Sequence, residues 1–250
     1  MKVIVCQDTK QLGKASAAHA AACIREAVET RGSARILLST GASQFPFFES
    51  IAELPIEWDK VEVFHLDEYV GISPDHPASF HHYLQTRFVD KVHPGKVHLI
   101  DGRKPVQETI AELTALLAEK PVDLGMIGIG ENAHIAFNDP PADFEDPRAY
   151  KVVTLAERCL QQQVGEGWFP STAEAYKQAI SMTCSKIMEC RTILCVVPYK
   201  VKAEAIANTL REDVNPQTPA TLLKKHADCT VYCDPDSASL AAKEDLEKYR

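Results

Sequence analysis

The sequence predicts an α/β protein, a three-layer sandwich in which a mostly parallel, Rossmann-like sheet carries helices on both faces. Short apolar runs alternate with helix-forming stretches along the chain, and this alternation is typical of parallel strands joined by right-handed crossovers. Small or polar residues follow three of the apolar runs, around Gly41, Asp67 and Gly130. Because the carboxyl ends of parallel strands share one edge of a sheet, we expect these stretches to converge there.

The individual elements follow from apolar runs and helical periodicity. Strands are predicted over residues 2–6, 34–39, 61–66, 97–100, 122–128, 151–155, 192–197 and 229–233. Helices are predicted over residues 12–30, 45–54, 77–88, 106–120 and 158–164, in an Ala-rich stretch that ends at 210, and over 237–249. His81 and His82 are neighbours on one of these helices, point in different directions and are expected to be exposed rather than to bind a metal. No repeat, low-complexity tract or linker interrupts the chain, so residues 1–250 are predicted to form one domain.

The composition and charge of the chain limit the kinds of partner that it is expected to bind. The formal net charge of −8 and the lack of clustered Lys and Arg argue against binding to nucleic acid. The apolar stretch at the N-terminus is too short for a signal peptide and no segment is long enough to span a membrane, which predicts a cytoplasmic protein without a membrane partner. The eight cysteines match no zinc or redox spacing and are interpreted as small buried thiols in a reducing compartment.

The stretch from Gly128 to Pro140 is the strongest candidate for a site. An apolar strand leads into two glycines, two amides, the imidazole of His134 and the carboxylate of Asp139. Glycine lets bare backbone N–H groups face a ligand, and histidine carries protons near neutral pH. Asp139 could fix the tautomer of His134. By itself this pattern also fits a plain strand-to-loop junction.

Two further strand ends offer complementary chemistry. Thr40, Gly41, Ala42 and Ser43 lie between a strand and a helix, where free N–H groups, hydroxyl donors and a helix start can hold a phosphate. A tight connection without a ligand is the alternative. Lys200 or Lys202 at the start of a later helix could neutralise the phosphate, although surface lysines would look the same.

Asp67 and Glu68 directly follow the third predicted strand. Successive side chains of an extended backbone point to opposite faces, so at most one of these two carboxylates can project into a pocket. A solvated acidic loop is the alternative interpretation. Two proline-rich or glycine-rich segments, 140–150 and 165–171, are expected to flank the pocket and suggest a lid.

The motifs together carry a family resemblance. Ser39–Ser43, Leu66–Gly71 and Gly128–Pro140 resemble the glucosamine-6-phosphate deaminase family, and the order and spacing continue through Pro219–Leu223 and the last strand. The related 6-phosphogluconolactonases share the fold and the turn between glycine and histidine, but typically continue differently after the histidine. The resemblance implies an enzyme that needs neither cofactor nor metal and acts on a small-molecule amino-sugar phosphate; it leaves open whether the chain forms a homo-oligomer.

The resemblance also implies roles for individual residues. The implied reaction opens the ring of glucosamine 6-phosphate, isomerises the aldose to a ketose and releases ammonia. His134 would move the ring-opening proton while Asn132 and Asp139 orient it, and Asp67 would carry a proton from carbon 2 to carbon 1. The implied substrate and phosphate contacts are Thr40, Gly41, Ala42, Ser43, Gly130 and Lys202.

Several positions depart from the family pattern. Asp139 stands where glutamate is usual, and its shorter side chain is expected to need a water to reach His134. Ala133 replaces a usual glycine and would be strained at positive φ. The arginine that clamps the phosphate in familiar members has no clear match, because Gln161–Gly165 occupies that region, and Arg158 is a candidate substitute.

Two alternatives remain open on the sequence. A lactonase of the same fold would use His134 to activate water against a sugar-phosphate lactone and would not need Asp67. A non-catalytic sugar-phosphate sensor would keep the phosphate-binding loop and tolerate the loss of His134. The epimer of the amino sugar is also left open.

Overall fold

The computed structural model describes residues 1–165 and 167–250. Its strands are β1 (Lys2–Val5), β2 (Ala34–Leu38), β3 (Val61–His65), β4 (Asp67–Tyr69), β5 (Lys96–His98), β6 (Leu124–Ile127), β7 (Tyr150–Thr154), β8 (Gln178–Met182), β9 (Thr192–Val197) and β10 (Cys229–Cys233). Its helices are α1 (Thr9–Arg31), α2 (Phe45–Ile51), α3 (Phe80–Leu84), α4 (Asp90–Val92), α5 (Val106–Glu119), α6 (Glu157–Gly165), α7 (Cys184–Ile187), α8 (Ala203–Arg211) and α9 (Lys243–Lys248).

A parallel sheet in the order β1-β10-β9-β6-β2-β3-β5 forms the centre of the described part of the chain. Each of its neighbouring pairs is parallel, as the alternation of strands and helices predicts. One apolar cluster joins α1 and α2 to one face of the sheet, and a second joins α5 and α8 to the other face. The predicted three-layer α/β architecture is therefore confirmed.

The sequence did not predict the smaller antiparallel sheet, which has the order β4-β8-β7. In it Asp67 lies opposite Ser181. Residues 178–182, with the sequence QAISM, contain no apolar run longer than Ala179-Ile180, so they give little strand signal. This sheet holds the segment after β3 in an extended conformation.

Close packing of α1 against α2 fixes the loop that precedes α2. A Cβ atom on Gly13 would lie 2.4 Å from the carbonyl oxygen of Pro46, so a larger residue would push the two helices apart. Asp8 caps α1 by accepting a hydrogen bond from the backbone N–H of Gln11 at 2.7 Å. The start of α2 is thus tied to a long, capped helix.

Some element predictions need correction. The helix predicted over 77–88 begins only at Phe80 and continues as a π-helix over Gln85–Val89, and the terminal helix is confined to Lys243–Lys248. The expected exposure of His81 and His82 is wrong, because both are half-buried. The reason is that α3 packs against the sheet edge, where the His81 Nδ1 atom lies 3.0 Å from the carbonyl oxygen of Ile100.

The cysteines are all free thiols and, apart from the half-buried Cys23, all are buried, as the sequence predicts. Within the ranges that the structure describes, the helices are too short or too polar to cross a membrane.

Candidate functional site

A cavity of about 520 Å³ opens at the carboxyl edge of the main sheet. Its walls come from the segments that follow β2, β3, β6 and β9, together with α6. The three stretches that the sequence marked, around Gly41, Asp67 and Gly130, all line this one cavity. The convergence expected from parallel strand ends is therefore present.

The loop Thr40–Ser43 forms one wall. Gly41 has a φ of +100°, a conformation that favours glycine. The Tyr83 hydroxyl donates a hydrogen bond to the carbonyl oxygen of Gly41 at 2.8 Å, and the Gln44 Nε2 group donates to the carbonyl oxygen of Val196 at 3.1 Å. The loop is held from two sides and leaves its hydroxyl groups beside the cavity.

Lys202 is the lysine that faces this cavity in the described part of the chain. It is only 6% exposed, whereas Lys200 is exposed and lies outside the cavity wall. The turn between β9 and α8 is fixed by Tyr199, which has a φ of +79° and donates its N–H to the Asp234 carboxylate at 3.1 Å. Burial therefore distinguishes the two lysines between which the local sequence pattern did not choose.

Asp67 and Glu68 point in opposite directions, as the alternation of an extended backbone predicts. Asp67 lines the cavity and is 7% exposed. Glu68 is fully buried and accepts hydrogen bonds from the Ser79 hydroxyl at 2.6 Å and from the backbone N–H of His81 at 2.8 Å. It thereby binds the first turn of α3, the helix that carries Tyr83.

The environment of Asp67 favours the protonated carboxyl group. Burial raises its pKa to about 8, and the nearby charge of Glu68 adds to the rise, while a hydrogen bond from the backbone N–H of Phe137 opposes it. Burial also raises the pKa of Glu68 to about 7. A carboxyl group with a pKa near neutrality is suited to exchange protons with a ligand.

His134 lies directly over Gly130. A Cβ atom on Gly130 would be 2.3 Å from the Cε1 atom of the imidazole ring, so glycine is needed there for the ring to reach the cavity. The turn is closed by the backbone N–H of Gly130, which donates to the carbonyl oxygen of His134 at 2.9 Å. His134 and Gly130 both line the cavity.

Asn132 and Asp139 lie behind the imidazole and outside the wall of this cavity. The Asp139 Oδ1 atom is 3.2 Å from the His134 Nδ1 atom, an ion-pair distance without hydrogen-bond alignment. Asn132 donates to the same Asp139 oxygen at 2.9 Å and accepts from the His134 backbone N–H at 3.2 Å. The turn brings the shorter aspartate within direct contact distance of the imidazole, so the distance alone does not require a bridging water.

Opposing effects act on the Asp139 carboxyl group. Burial raises its pKa, but the contacts with His134 and Asn132 outweigh burial and hold the pKa below its ordinary value. Asp139 therefore favours the carboxylate form, in contrast to Asp67. The site places two carboxyl groups in environments that shift their pKa values in opposite directions.

The turn that carries His134 includes two strained alanines. Ala133 has a φ of +64° and Ala136 a φ of +50°. The positive φ at Ala133 confirms the backbone strain expected for alanine at this position. The positive φ at Ala136 was not predicted from the sequence. Left-handed backbone at residues other than glycine is concentrated at functional sites.

Helix α6 forms the wall opposite the strand ends. Arg158, Gln161, Gln163 and Gly165 line the cavity, so the region that lacks the familiar arginine does face the ligand space. The lid expected from segment 140–150 needs correction, because that segment contributes nothing to the wall of the main cavity; Pro140 instead lines a neighbouring pocket of about 200 Å³. Of the second expected lid loop, Gly165 lines the cavity and Glu166 lies outside the described residues.

Other residues of the wall were not proposed as site residues from the sequence. They include Ser39, Phe80, Glu131, Gln163 and Tyr199. Ser39 and Glu131 lie within motifs that the resemblance uses and could have been included. Phe80, Gln163 and Tyr199 depend on the packing of α3, α6 and the turn after β9, which no local pattern reveals.

No group of three or more His, Cys, Asp or Glu side chains is placed to hold a metal ion among residues 1–165 and 167–250. The described site instead offers an imidazole, carboxyl groups of different acidity, a hydroxyl-bearing loop and a buried lysine. Fold and site together define a class: α/β proteins that bind a small polar ligand at the carboxyl edge of a parallel sheet and hold proton-transfer groups against it.

Within this class the chain belongs to the family described as glucosamine-6-phosphate isomerases/6-phosphogluconolactonase, whose model matches residues 7–232. A glucosamine-6-phosphate deaminase of Lactobacillus delbrueckii subsp. bulgaricus is 33% identical over 96% of this chain and 99% of its own length. One from Thermoanaerobacter pseudethanolicus is 31% identical over 99% of this chain and 98% of its own.

Solved structures agree with this assignment. A monomeric glucosamine-6-phosphate deaminase matches with a TM-score of 0.89 and 29% identity, covering 96% of this chain and all (100%) of that one. A 6-phosphogluconolactonase from Trypanosoma brucei matches with a TM-score of 0.78 at 13% identity, covering 96% of this chain and 98% of that one. The second likeness concerns the fold alone.

Proposed function

We propose that the protein is an amino-sugar-phosphate isomerase and deaminase that converts glucosamine 6-phosphate to fructose 6-phosphate and ammonia. The observation that carries this proposal is the placement of Asp67 and His134 on the wall of one cavity, which also contains the Thr40–Ser43 loop and Lys202. The relatives named as glucosamine-6-phosphate deaminases support the choice of substrate. We further propose that residues 1–250 act as one domain.

The phosphate is assigned to the loop Thr40–Ser43 and to Lys202. The loop offers hydroxyl and backbone N–H donors and the lysine offers a buried positive charge, which together suit a phosphate dianion. Gly130 borders the sugar and allows the backbone to approach it closely. Anchoring the phosphate at one end sets the position of carbons 1 and 2 relative to the proton-transfer groups.

His134 acts first in the proposed sequence. It takes the proton from the hydroxyl group on carbon 1 and delivers one to the ring oxygen, so that the bond between carbon 1 and the ring oxygen breaks and an open-chain aldehyde forms. The Asp139 carboxylate, 3.2 Å from the imidazole, stabilises the positive charge of the protonated ring. Asn132 orients Asp139 through a hydrogen bond of 2.9 Å.

Asp67 acts second. Its carboxylate removes the proton from carbon 2, and the electron pair of that bond forms a double bond between carbons 1 and 2. The π pair of the aldehyde moves to its oxygen, which takes a proton from the ammonium group on carbon 2. The resulting enol-type intermediate is reprotonated on carbon 1 by the same carboxyl group, leaving an iminium at carbon 2. Water then adds to the iminium, and ammonia leaves as the carbonyl of fructose 6-phosphate forms.

A direct assay tests this function. We expect the purified protein to release ammonia from glucosamine 6-phosphate, with galactosamine 6-phosphate measured alongside to determine the epimer. Hydrolysis of 6-phosphogluconolactone without ammonia release would favour the lactonase. A ligand-induced thermal shift without turnover of any of the three compounds would favour a sensor.

The partners, the cellular location and the assembly of the enzyme form part of the same proposal. The ligand is a small-molecule amino-sugar phosphate, and neither nucleic acid nor membrane takes part. We place the protein in the cytoplasm, and its free, largely buried thiols support a reducing compartment. The family resemblance leaves the oligomeric state open, and sedimentation velocity measures the assembly.

A further inference from the structure

Helix α6 presents a buried amide to the cavity. The Gln163 side chain is only 6% exposed and lines the cavity wall. Its Oε1 atom has no hydrogen-bond partner among the described residues. Buried polar atoms in folded proteins are almost always hydrogen-bonded, so an unpaired acceptor on a side chain that lines a ligand space indicates a partner supplied when the ligand binds.

The surroundings hold Gln163 in this position. Leu160, one turn earlier on α6, packs into the apolar cluster that contains Phe80 and Phe137, and both of these rings also line the cavity. On the other side, the carbonyl oxygen of Gln163 accepts a hydrogen bond from the Trp168 backbone N–H at 3.0 Å. The helix is thus fixed before and after the amide.

The chemistry of the free atom restricts what it can recognise. An amide oxygen accepts hydrogen bonds and needs a donor. A phosphate dianion has no donor to offer, and the Thr40–Ser43 loop and Lys202 already suit it. The hydroxyl and amino groups of an open-chain sugar are donors of the required kind.

We propose that Gln163 is a specificity-determining residue whose Oε1 atom accepts a hydrogen bond from a hydroxyl or amino group of the sugar, not from the phosphate end of the ligand. The identity of the sugar rests on the proposed function, but the contact is a property of binding and needs no turnover. Gln163 therefore contacts the sugar part of the ligand, which inorganic phosphate lacks.

Binding measurements on three probes test this assignment. The probes are 2-amino-2-deoxyglucitol 6-phosphate, glucitol 6-phosphate and inorganic phosphate, titrated by calorimetry into the wild type and Gln163→Leu. We expect Leu at this position to weaken both sugar ligands about 10- to 100-fold and to leave the Kd of phosphate within about twofold. A larger loss for the amino ligand than for glucitol 6-phosphate identifies the amino group as the donor, and equal losses identify a hydroxyl.

The matched control is Gln107→Leu, which makes the same substitution on the exposed surface of α5, outside the cavity wall. It is expected to change none of the three Kd values. Parallel loss of all three probes in Gln163→Leu would place the amide at the phosphate and overturn the proposal, and unchanged binding of all three would do the same.

Two milder variants keep the test decisive if Gln163→Leu fails to fold. Gln163→Asn withdraws the amide by one methylene and is expected to weaken the sugar ligands selectively. Gln163→Glu keeps an acceptor oxygen in place and is expected to retain their affinity within about threefold. Equal sugar affinity in the Asn and Glu variants would contradict the proposal. Absence of ammonia release would count against the proposed function and leave this binding result standing.

Discussion

The Asp139 carboxylate lies 3.2 Å from the His134 imidazole even though its side chain is shorter than the glutamate usual in the family. Asn132 contacts both residues, donating to Asp139 at 2.9 Å and accepting from the His134 backbone at 3.2 Å. The three residues form a compact unit at the Nδ1 side of the ring, and His134 itself lines the cavity. An aspartate suffices because the turn itself approaches the imidazole.

Removing the charge of Asp139 tests this unit. We expect Asp139→Asn to lower kcat for ammonia release about 10- to 1000-fold, because the imidazole loses the anion that stabilises its protonated form. KM should change much less, since Asp139 lies outside the cavity wall. Steady-state kinetics measure both quantities, and a variant with wild-type kcat would remove Asp139 from the proposed mechanism.

The pH profile tests the environment of Asp67. Because burial raises the pKa of Asp67 to about 8, the carboxylate that serves as base accumulates only as the pH rises. We expect kcat/KM to increase from pH 6 to about pH 8. A kcat/KM profile with an acidic limb centred near pH 4 would show that the pKa of Asp67 in the free enzyme is close to its ordinary value.

Glu68 contributes to the same profile through its charge. In Glu68→Gln the amide oxygen can still accept from Ser79, but the repulsion that helps to raise the pKa of Asp67 disappears. The acidic limb should therefore move to lower pH while the protein stays folded. An unmoved limb in a variant with an unchanged Tm would contradict the coupling between the two carboxyl groups.

Ala133 offers a prediction about stability. Left-handed backbone costs about 1–3 kcal/mol at residues other than glycine, so Ala133→Gly, at a φ of +64°, is expected to increase the free energy of unfolding by about 1 kcal/mol. The control is Ala115→Gly on the exposed face of α5, which should lower stability by about 0.5–1 kcal/mol. Equal losses in the two variants would show that the turn relieves its strain elsewhere.

Lys202 and Lys200 provide a matched pair for the phosphate. Hydrogen bonds to charged groups contribute about 1.5–3 kcal/mol, so Lys202→Met should raise KM for the sugar phosphate roughly 10- to 100-fold with a smaller effect on kcat. Lys200→Met changes an exposed lysine of the same turn, outside the cavity wall, and should behave like the wild type. Similar kinetics in both variants would remove Lys202 from the phosphate site.

The sequence predicts the main sheet well because each of its buried strands is a short apolar run. β2, with the sequence ARILL, is buried along its whole length, and such strands can be predicted from their apolar sequence. β8 does not, because QAISM owes its burial to pairing with β4 and β7. Alternation along a strand predicts that Asp67 and Glu68 point to opposite faces, and the family resemblance selects Asp67 for the pocket. The exposure of His81 could not be predicted, since it depends on how α3 packs.

The site residues also divide into those that the sequence predicts and those that it does not. His134, Asp67 and the Thr40–Ser43 loop were found because small or polar residues directly follow apolar strands. Gln163 was named only within the segment Gln161–Gly165, because a glutamine on a polar helix carries no local sign of burial. Its place in the cavity wall depends on how α6 packs.

The central claim is that Asp67 breaks the bond between carbon 2 and its proton. The most direct measurement compares ammonia release from glucosamine 6-phosphate by the wild type, Asp67→Asn and the control Asp59→Asn, whose exposed side chain lies before the amino end of β3. We predict that Asp67→Asn binds the substrate but loses about 10²- to 10⁴-fold in rate, while Asp59→Asn matches the wild type. Ammonia release by Asp67→Asn at the wild-type rate would contradict the account.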